Sequence, residues 1–309
     1  MSEAFDLDRF DNPPPPPSIL YKYLSPERVG NVLESKTVRF TPLMNTNDSF
    51  EVRTTFRKLA GPRFISMLES QMDETSTDEL VDELIQEKLS ELSIPGIDAA
   101  AIRAIFTAQT GQNLTTVLRD EMQGIVNNMF VPYLNSPENA ENLLEKFGQD
   151  MLCFSLSERF DSSPMWAHYA QDNAGFVISL DTSHEWFSGK TGKRKTRLQK
   201  VEYFDGMMDE PLENPQAAFI SKTTDWQYER EWRLYSKEAD ISRIISSPNG
   251  KIHLVEFPAD LVTEIIVGHK ADAQTLDRIV AVAKSEYPHA AILRAQPDRR
   301  THTYALGRI

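Results

Sequence analysis

The chain has 309 residues, of which 40% are hydrophobic and 26% are charged, a composition typical of a folded protein with one large domain or two smaller ones. Its formal net charge of −13 argues against broad affinity for nucleic acid or anionic membranes, because both reward a basic surface. A single cysteine, Cys153, excludes an internal disulfide and a cysteine metal cluster. The acidic start of the chain lacks a signal-peptide pattern, and no apolar run approaches about 20 residues, so we expect a cytoplasmic protein without a membrane span.

The predicted elements begin after a tail. Residues 1–17 end in a run of five prolines and are expected to be a disordered, Pro-rich tail. Residues 18–24 and 37–41 are predicted strands. The helix predicted between them over 26–35 begins with Pro26 at its first position, after Ser25 as N-cap.

The middle of the chain changes character. Residues 55–148 carry long patterns of helical period and few strand signals, so we predict a helical insertion within a single domain over 18–309. Strands return after it, at 152–156, 175–180, 198–204, 231–235, 251–257, 264–268 and 290–295. The helices predicted among them are a short one after Ser163, then 214–222 and 271–286. The fold class is therefore α+β, with a mixed or antiparallel sheet.

The most unusual segment is 228–233, which reads Tyr-Glu-Arg-Glu-Trp-Arg. If the segment is a strand, alternation projects Glu229, Glu231 and Arg233 from one face. Two carboxylates beside a guanidinium are costly unless they pair with neighbours or bind a ligand. Two interpretations follow: an ion network that includes Lys222, or carboxylates that stabilise positive charge developing on a sugar carbon.

A second cluster of charged and aromatic residues lies at 159–170, on and before the short predicted helix. Trp166 and Tyr169 are three residues apart and share a helical face, so they either pack in the core or present rings to a base or nicotinamide. His168 has no second histidine at ligand spacing, which leaves a structural histidine or a base and predicts no metal site. Cys153 lies in an apolar run and is predicted to be a core residue.

Five blocks of the sequence resemble the signature blocks of a large bacterial domain-of-unknown-function family. They follow that family's order between about residues 19 and 270, and they are 20–23 (LYKY), 47–51 (NDSFE), 153–155 (CFS), 165–170 (MWAHYA) and 222–233 (K-x3-W-x-YEREWR).

A fainter resemblance links the chain to the ADP-ribosyltransferase superfamily. The strand, helix and strand over 19–41 are similar to the opening of that superfamily, and Glu229 or Glu231 falls where its late catalytic glutamate lies. The resemblance implies a split sheet and NAD as substrate. Two departures are that Lys22 stands where the superfamily places His or Arg, and that no clean Ser-Thr-Ser occurs in the middle block.

The resemblance also implies roles for individual residues. Glu231 would oppose the oxocarbenium charge and Glu229 would position the acceptor, which is a nucleic acid or a protein, in a toxin or phage-defence (antiviral) system. The residues expected to hold NAD are Tyr21, Lys22, Tyr23, Arg159, Trp166, His168, Tyr169, Lys222 and Arg233. The alternative is a non-catalytic module on the same scaffold that binds a nucleotide or a peptide. The sequence predicts no oligomeric state.

Overall fold

The computed structural model describes residues 14–46, 60–71, 74–91, 97–136, 151–188, 198–205, 219–236, 241–248 and 250–309, with isolated positions at 238 and between 138 and 149. The chain divides into two compact units. One comprises Met1–Thr54, Leu144–Gly206 and Gln216–Ile309, and the other comprises Thr55–Leu143 and Met207–Pro215. The predicted block 47–51 and most of the predicted tail lie outside the described residues.

The first unit contains the strands. In chain order they are β1 (Ile19–Leu24), β2 (Thr37–Pro42), β3 (Leu152–Ser157), β4 (Phe176–Asp181), β5 (Leu198–Lys200), β6 (Glu202–Tyr203), β7 (Ser221–Lys222), β8 (Glu231–Ser236), β9 (Arg243–Ser247), β10 (Gly250–Glu256), β11 (Val262–Val267), β12 (Ala291–Asp298) and β13 (Thr303–Arg308).

The described α-helices are distributed over both units. In chain order they are α1 (Pro62–Gln71), α2 (Glu74–Glu91), α3 (Ala99–Thr110), α4 (Leu114–Ile125), α5 (Val131–Leu134), α6 (Ser163–Tyr169), α7 (Glu185–Ser188) and α8 (Ala273–Glu286). Shorter turns of 3-10 or π geometry are Pro26–Arg28, Val29–Glu34, Leu43–Asn45, Val126–Phe130, Thr224–Glu229 and Ala259–Leu261.

Eleven of the described strands form one sheet in the order β13-β12-β11-β4-β1-β3-β2-β10-β9, with β8 paired to β3 and β5 paired to β8. Every pairing within this sheet is antiparallel except that of β11 with β12, which are parallel and joined through α8. This arrangement confirms the predicted combination of helices with a mixed, mainly antiparallel sheet.

Both faces of the sheet are covered by apolar side chains. Along β1, Leu20 and Leu24 belong to one core cluster, while Tyr23 belongs to the cluster on the opposite face together with Trp166. β4 alternates in the same way, because Val177 lies in the cluster of Tyr23 and its strand neighbours lie in the other. A strand buried on both faces reads as a continuous apolar run, which is why these strands could be predicted.

Several sequence predictions need correction. Ser221–Lys222 is strand β7, although a helix was predicted to end there; the rest of that predicted helix, up to residue 218, lies outside the described residues. The predicted helix at 26–35 is a 3-10 turn followed by π geometry. Strands β9 and β13 were missed. β9 is largely exposed, with adjacent Ile244 and Ile245 both on the surface, so its sequence lacks the alternation by which strands are recognised.

The loop after α6 is held tightly against the sheet. Three successive residues, Gln171, Asp172 and Asn173, have positive φ angles of 47°, 52° and 70°. A Cβ at Gly175 would lie 2.1 Å from the carbonyl oxygen of Leu24, and one at Gly268 would lie 2.1 Å from that of Asn173. Only glycine permits these backbone approaches, so the C-terminal end of α6 is fixed closely to β1 and β11.

The elements described in the second unit are helical. Arg103 on α3 ties three of these helices, with Nε 2.7 Å from Asp82 Oδ1, Nη1 2.8 Å from Asp78 Oδ1 and a hydrogen bond to Thr115. The prediction of helices here agrees with the described elements α1–α5, while the assignment of 18–309 to a single domain stays a prediction. None of the described helices of the chain combines the length and apolar character needed to cross a bilayer.

Candidate ligand-binding site

A cavity of about 240 Å³ lies in the first unit, where β1 and β2 diverge. β8 pairs with β3 along its full length, so β1 and β2 share the other edge of β3. On that edge β2 pairs with Leu152 and Cys153, and β1 pairs with Ser157. The lining residues are Tyr21, Lys22, Tyr23, Arg39, Thr41, Asn45, Thr46, Cys153, Ser155, Leu156, Ser157, Met165, Tyr169, Lys222, Glu229 and Glu231.

Lys22 reaches the middle of the β3 edge from β1. Its Nζ donates a hydrogen bond of 2.8 Å to the carbonyl oxygen of Ser155 and lies 5.0 Å from the centre of the Phe154 ring. Among the described residues no carboxylate forms an ion pair with Lys22. Burial lowers the pKa of the Lys22 ammonium, although the carboxylate of Glu231 acts in the opposite direction.

Glu231 is held by two basic side chains. Arg233 donates from Nε to Oε1 and from Nη2 to Oε2, each at 2.9 Å, in a bidentate ion pair. Lys222 Nζ lies 3.3 Å from Oε2. Burial raises the pKa of Glu231, against the lowering effect of Lys222.

Glu229 is held from fewer sides. Its Oε2 accepts from Lys222 Nζ at 2.6 Å, and its Oε1 accepts a hydrogen bond from the Tyr169 hydroxyl on α6. The backbone carbonyl of Glu229 accepts from Ser157 Oγ at 2.6 Å. Although burial alone would lower the pKa of Lys222, the adjacent carboxylates of Glu231 and Glu229 raise it above the ordinary lysine value.

The two carboxylates differ in the acceptor capacity that remains. An ionised carboxylate offers about four lone-pair positions. Three hydrogen bonds occupy those of Glu231, whereas two occupy those of Glu229. Glu229 therefore keeps more room than Glu231 to accept hydrogen bonds from a ligand in the cavity.

The prediction that strand alternation aligns Glu229 with Glu231 and Arg233 is wrong. Glu229 ends the 3-10 turn Thr224–Glu229, and Arg230 follows with a left-handed φ of 43° before β8 begins. The three side chains still meet, because this bend returns Glu229 to the Lys222 ammonium that also contacts Glu231. No local pattern indicates this bend, since the aromatic residues of 228–233 are typical of a strand.

Four residues predicted to hold NAD do not line the cavity. Trp166 is fully buried in the core, and its Nε1 donates to the Phe160 carbonyl at 2.7 Å. Arg159 pairs with Asp161 at 2.7 Å. His168 is exposed, with its ring centre 6.2 Å from that of Tyr228. The fourth, Arg233, lies behind Glu231 with 0% side-chain exposure.

The other predicted residues do line the cavity. They are Tyr21, Lys22, Tyr23, Tyr169, Lys222, Glu229 and Glu231. The Tyr23 hydroxyl donates a hydrogen bond of 2.8 Å to the Arg159 carbonyl, so its donor already has a partner within the protein. The structure thus brings together residues from three separate sequence blocks.

Sequence reasoning missed the contribution of β2. Arg39 and Thr41 alternate with buried Val38 and Phe40, so their side chains form the polar face of this strand. That alternation was the signal that could have identified them. Tyr203 was missed as well; its hydroxyl accepts from the Glu231 backbone N–H at 2.8 Å.

The thiol of Cys153 lines the cavity but is poorly suited to nucleophilic attack. Burial, with the negative charge of Glu231, raises its pKa to about 12. Nucleophilic attack needs the thiolate, so Cys153 acts as a small apolar wall residue, as its sequence context predicted. Within the described part of the chain, no group of three or more His, Cys, Asp or Glu side chains is arranged to hold a metal ion.

The fold and cavity define a protein of mixed α and β structure with a charged cavity at a branch point of its sheet. Residues 165–234 match the model of a family described as "Protein of unknown function (DUF2971)". The match contains the blocks at 165–170 and 222–233, so the predicted relationship to a family of unknown function is confirmed over this segment; the three earlier blocks lie outside it. Searches of curated proteins and of solved structures found no match.

Proposed function

We propose that this chain is an NAD-dependent enzyme of the ADP-ribosyltransferase type, with its active site in the cavity between β1 and β2. The observation that carries the proposal is the meeting of Lys22, Tyr169 and Glu229 in one cavity at a divergence of two strands. In this proposal the divergence corresponds to the split sheet of that superfamily.

Glu229 takes the central role. With two acceptor positions left, it accepts the hydroxyls of the nicotinamide ribose and opposes the positive charge that develops as the glycosidic C–N bond breaks. Nicotinamide leaves with the bonding electrons, the acceptor nucleophile forms the new bond to the ribose carbon, and Glu229 takes the acceptor's proton. Glu231 acts through Lys222, which it holds beside Glu229. The expectation from sequence gave the opposing charge to Glu231, whereas this proposal gives it to Glu229.

The cavity size sets the part of NAD that enters. Small-molecule sites commonly have volumes of about 300–1,000 Å³. A cavity of about 240 Å³ suits a part of NAD that includes the nicotinamide ribose, rather than the whole dinucleotide. Tyr21 and Tyr169 supply aromatic surface to the wall of this space.

A second candidate is a non-catalytic nucleotide-binding module. Its support is the charge of the lining, where the cations Lys22, Arg39 and Lys222 outnumber the carboxylates Glu229 and Glu231. An excess of positive charge favours retention of an anion, and Lys222 weakens the field that Glu229 exerts on a forming cation.

The decisive measurement is nicotinamide release from NAD by wild-type protein and by Glu229→Gln, with protein and nucleic-acid acceptors offered in turn. We expect the variant to stay folded, with a cooperative melting transition, and to lose about a hundredfold or more in rate, because the opposing charge is gone. Glu256→Gln, at an exposed position on β10, is the matched control and should keep the wild-type rate. Wild-type protein that binds NAD but releases no nicotinamide with any acceptor would favour the binding module.

A toxin or defence role belongs to the same proposal. If ADP-ribosyl transfer damages the host, expression of the wild-type chain should arrest bacterial growth, and expression of Glu229→Gln to the same level should not. Equal growth of both cultures at matched expression would contradict the toxic role without affecting the biochemical assignment.

A further inference from the structure

On the edge of β3 that faces the cavity, one residue has no partner in a neighbouring strand, although β8 pairs with it on the other edge. Cys153 pairs with Thr41 of β2, and Ser157 pairs with Tyr21 of β1. Ser155, between them, pairs with neither strand on this edge. Residues 153, 155 and 157 direct their backbone groups to the same edge, because these groups alternate between the two edges of a strand.

The carbonyl group of Ser155 already has a partner from outside the ladder. It accepts from the Lys22 ammonium at 2.8 Å. The N–H of the same residue points towards the same edge, so it faces the gap that β1 and β2 leave open. Backbone N–H groups directed at a cavity are strong donors to oxyanions, as at helix ends and anion-binding turns.

Two cations border this gap. Lys22 projects from β1, and Arg39 projects from β2, where it is exposed and forms no ion pair within the described part of the chain. The third lining cation, Lys222, is occupied by Glu229 and Glu231. Thr41, next to Arg39 on the same face of β2, adds a hydroxyl. Positive charge therefore stays available on the side of the cavity formed by β1 and β2.

We propose that the gap between β1 and β2 is an oxyanion site that binds the diphosphate group of a nucleotide, through the Ser155 N–H, the Lys22 ammonium and the Arg39 guanidinium. The inference rests on the proposed function in that it names which part of NAD lies there, with the nicotinamide ribose towards Glu229. The same chemistry would accept free inorganic diphosphate. Guanidinium and ammonium groups with a backbone N–H are the common donor set for phosphate oxygens.

The test is calorimetric titration of the full chain with inorganic diphosphate, ADP-ribose and adenosine. Diphosphate and ADP-ribose should bind and adenosine should not. Lys22→Met should weaken diphosphate binding about tenfold to hundredfold, the loss of one charge-assisted hydrogen bond. Arg39→Gln should weaken it about two- to fivefold, since an exposed charge is screened. The matched control, Arg243→Gln on β9, removes an exposed arginine outside the cavity and should bind as wild type.

The Ser155 N–H can be followed directly by amide NMR during the titration with diphosphate, which requires no substitution. Its chemical shift should change with added diphosphate and give the same dissociation constant as the calorimetric titration. Absence of diphosphate binding, an unmoved Ser155 signal, or equal weakening by Arg243→Gln and Arg39→Gln would overturn the inference.

The two proposals can fail independently. Nicotinamide release without diphosphate binding would contradict the oxyanion site and support the enzymatic function. If Lys22→Met weakens diphosphate binding but no mixture releases nicotinamide, the result would support the oxyanion site and contradict the transferase function.

Discussion

The two sides of the cavity use the same residue types in opposite ways. On the side formed by β7, β8 and the turn before β8, four charged side chains form one connected chain of ion pairs and are at most 5% exposed: Glu229, Lys222, Glu231 and Arg233. On the side formed by β1 and β2, the cations border the cavity without a described carboxylate partner. Charged groups that form ion pairs within the protein position one another, whereas cations without an ion-pair partner at a cavity are available to an anionic ligand.

The largest effect should follow from breaking the paired side. Arg233→Met leaves the Glu231 carboxylate without its two-pronged partner and the Phe219 carbonyl without its 2.6 Å donor. We expect a loss of about 3–5 kcal/mol in the free energy of unfolding, measured in urea, because a buried charge loses its partner. Arg233→Lys keeps the charge but not the planar fork and should lose less. A loss below about 1 kcal/mol for Arg233→Met would contradict the assignment of this pair.

The same substitution on both sides sharpens the comparison. Lys222→Met leaves two neighbouring buried carboxylates without their shared cation, and we expect a loss of about 2–4 kcal/mol. Lys22→Met removes a partly buried ammonium with a lowered pKa and no described ion pair, so it should change the unfolding free energy by less than about 1 kcal/mol. Equal losses in the two variants would show that the two sides do not differ in the way described.

Alkaline pH should weaken the paired side through Lys222. Its pKa is raised in the folded state, mainly by Glu231 and Glu229, so the stability it confers is fully present below the unfolded-state value of 10.5. Above that pH the unfolded chain loses the proton while the folded chain keeps it, and stability falls by up to about 1.4 kcal/mol per pH unit. Urea unfolding of wild type and Lys222→Met should therefore converge as the pH rises above 10.5. A constant difference between them would contradict this linkage.

The smallest effect is expected at the contact between α6 and Glu229. Tyr169→Phe removes one hydroxyl donor and keeps the ring, so the unfolding free energy should fall by about 0.5–1.5 kcal/mol. If the proposed reaction holds, the freed acceptor position on Glu229 should also alter nicotinamide release. Tyr133→Phe, an exposed hydroxyl in the second unit, serves as control. A loss in the control as large as that in Tyr169→Phe would show that the contact contributes nothing specific.

Part of this molecule could be predicted from sequence because its signals are local. The buried strands β1, β3 and β4 appear as largely apolar runs, and α8 appears by its helical period. The clustering of charged and aromatic residues also identified seven of the sixteen residues that line the cavity. The blocks at 20–23, 165–170 and 222–233 all contribute to it.

The remaining features depend on long-range pairing. That β1 and β2 share one edge of β3 is a matter of strand register, which no local pattern encodes, so the gap could not be found from sequence. The alternation along β2 identifies Arg39 as an outward-facing residue but does not place it at the gap. Trp166 and Arg233 were expected at the ligand because aromatic and charged residues suit both cores and sites. In the structure both are fully buried: Trp166 packs in the core and Arg233 forms an ion pair.

The open edge of β3 has a consequence for how such a site changes through mutation. The Ser155 N–H is main chain, so among the encoded side chains at this position only proline removes it. This backbone donor is therefore kept through most substitutions, whereas one substitution can change the side chain at position 22 or at position 39. Ligand preference in proteins built this way should change by substitution of those two residues, while the strand pairing preserves the backbone donor.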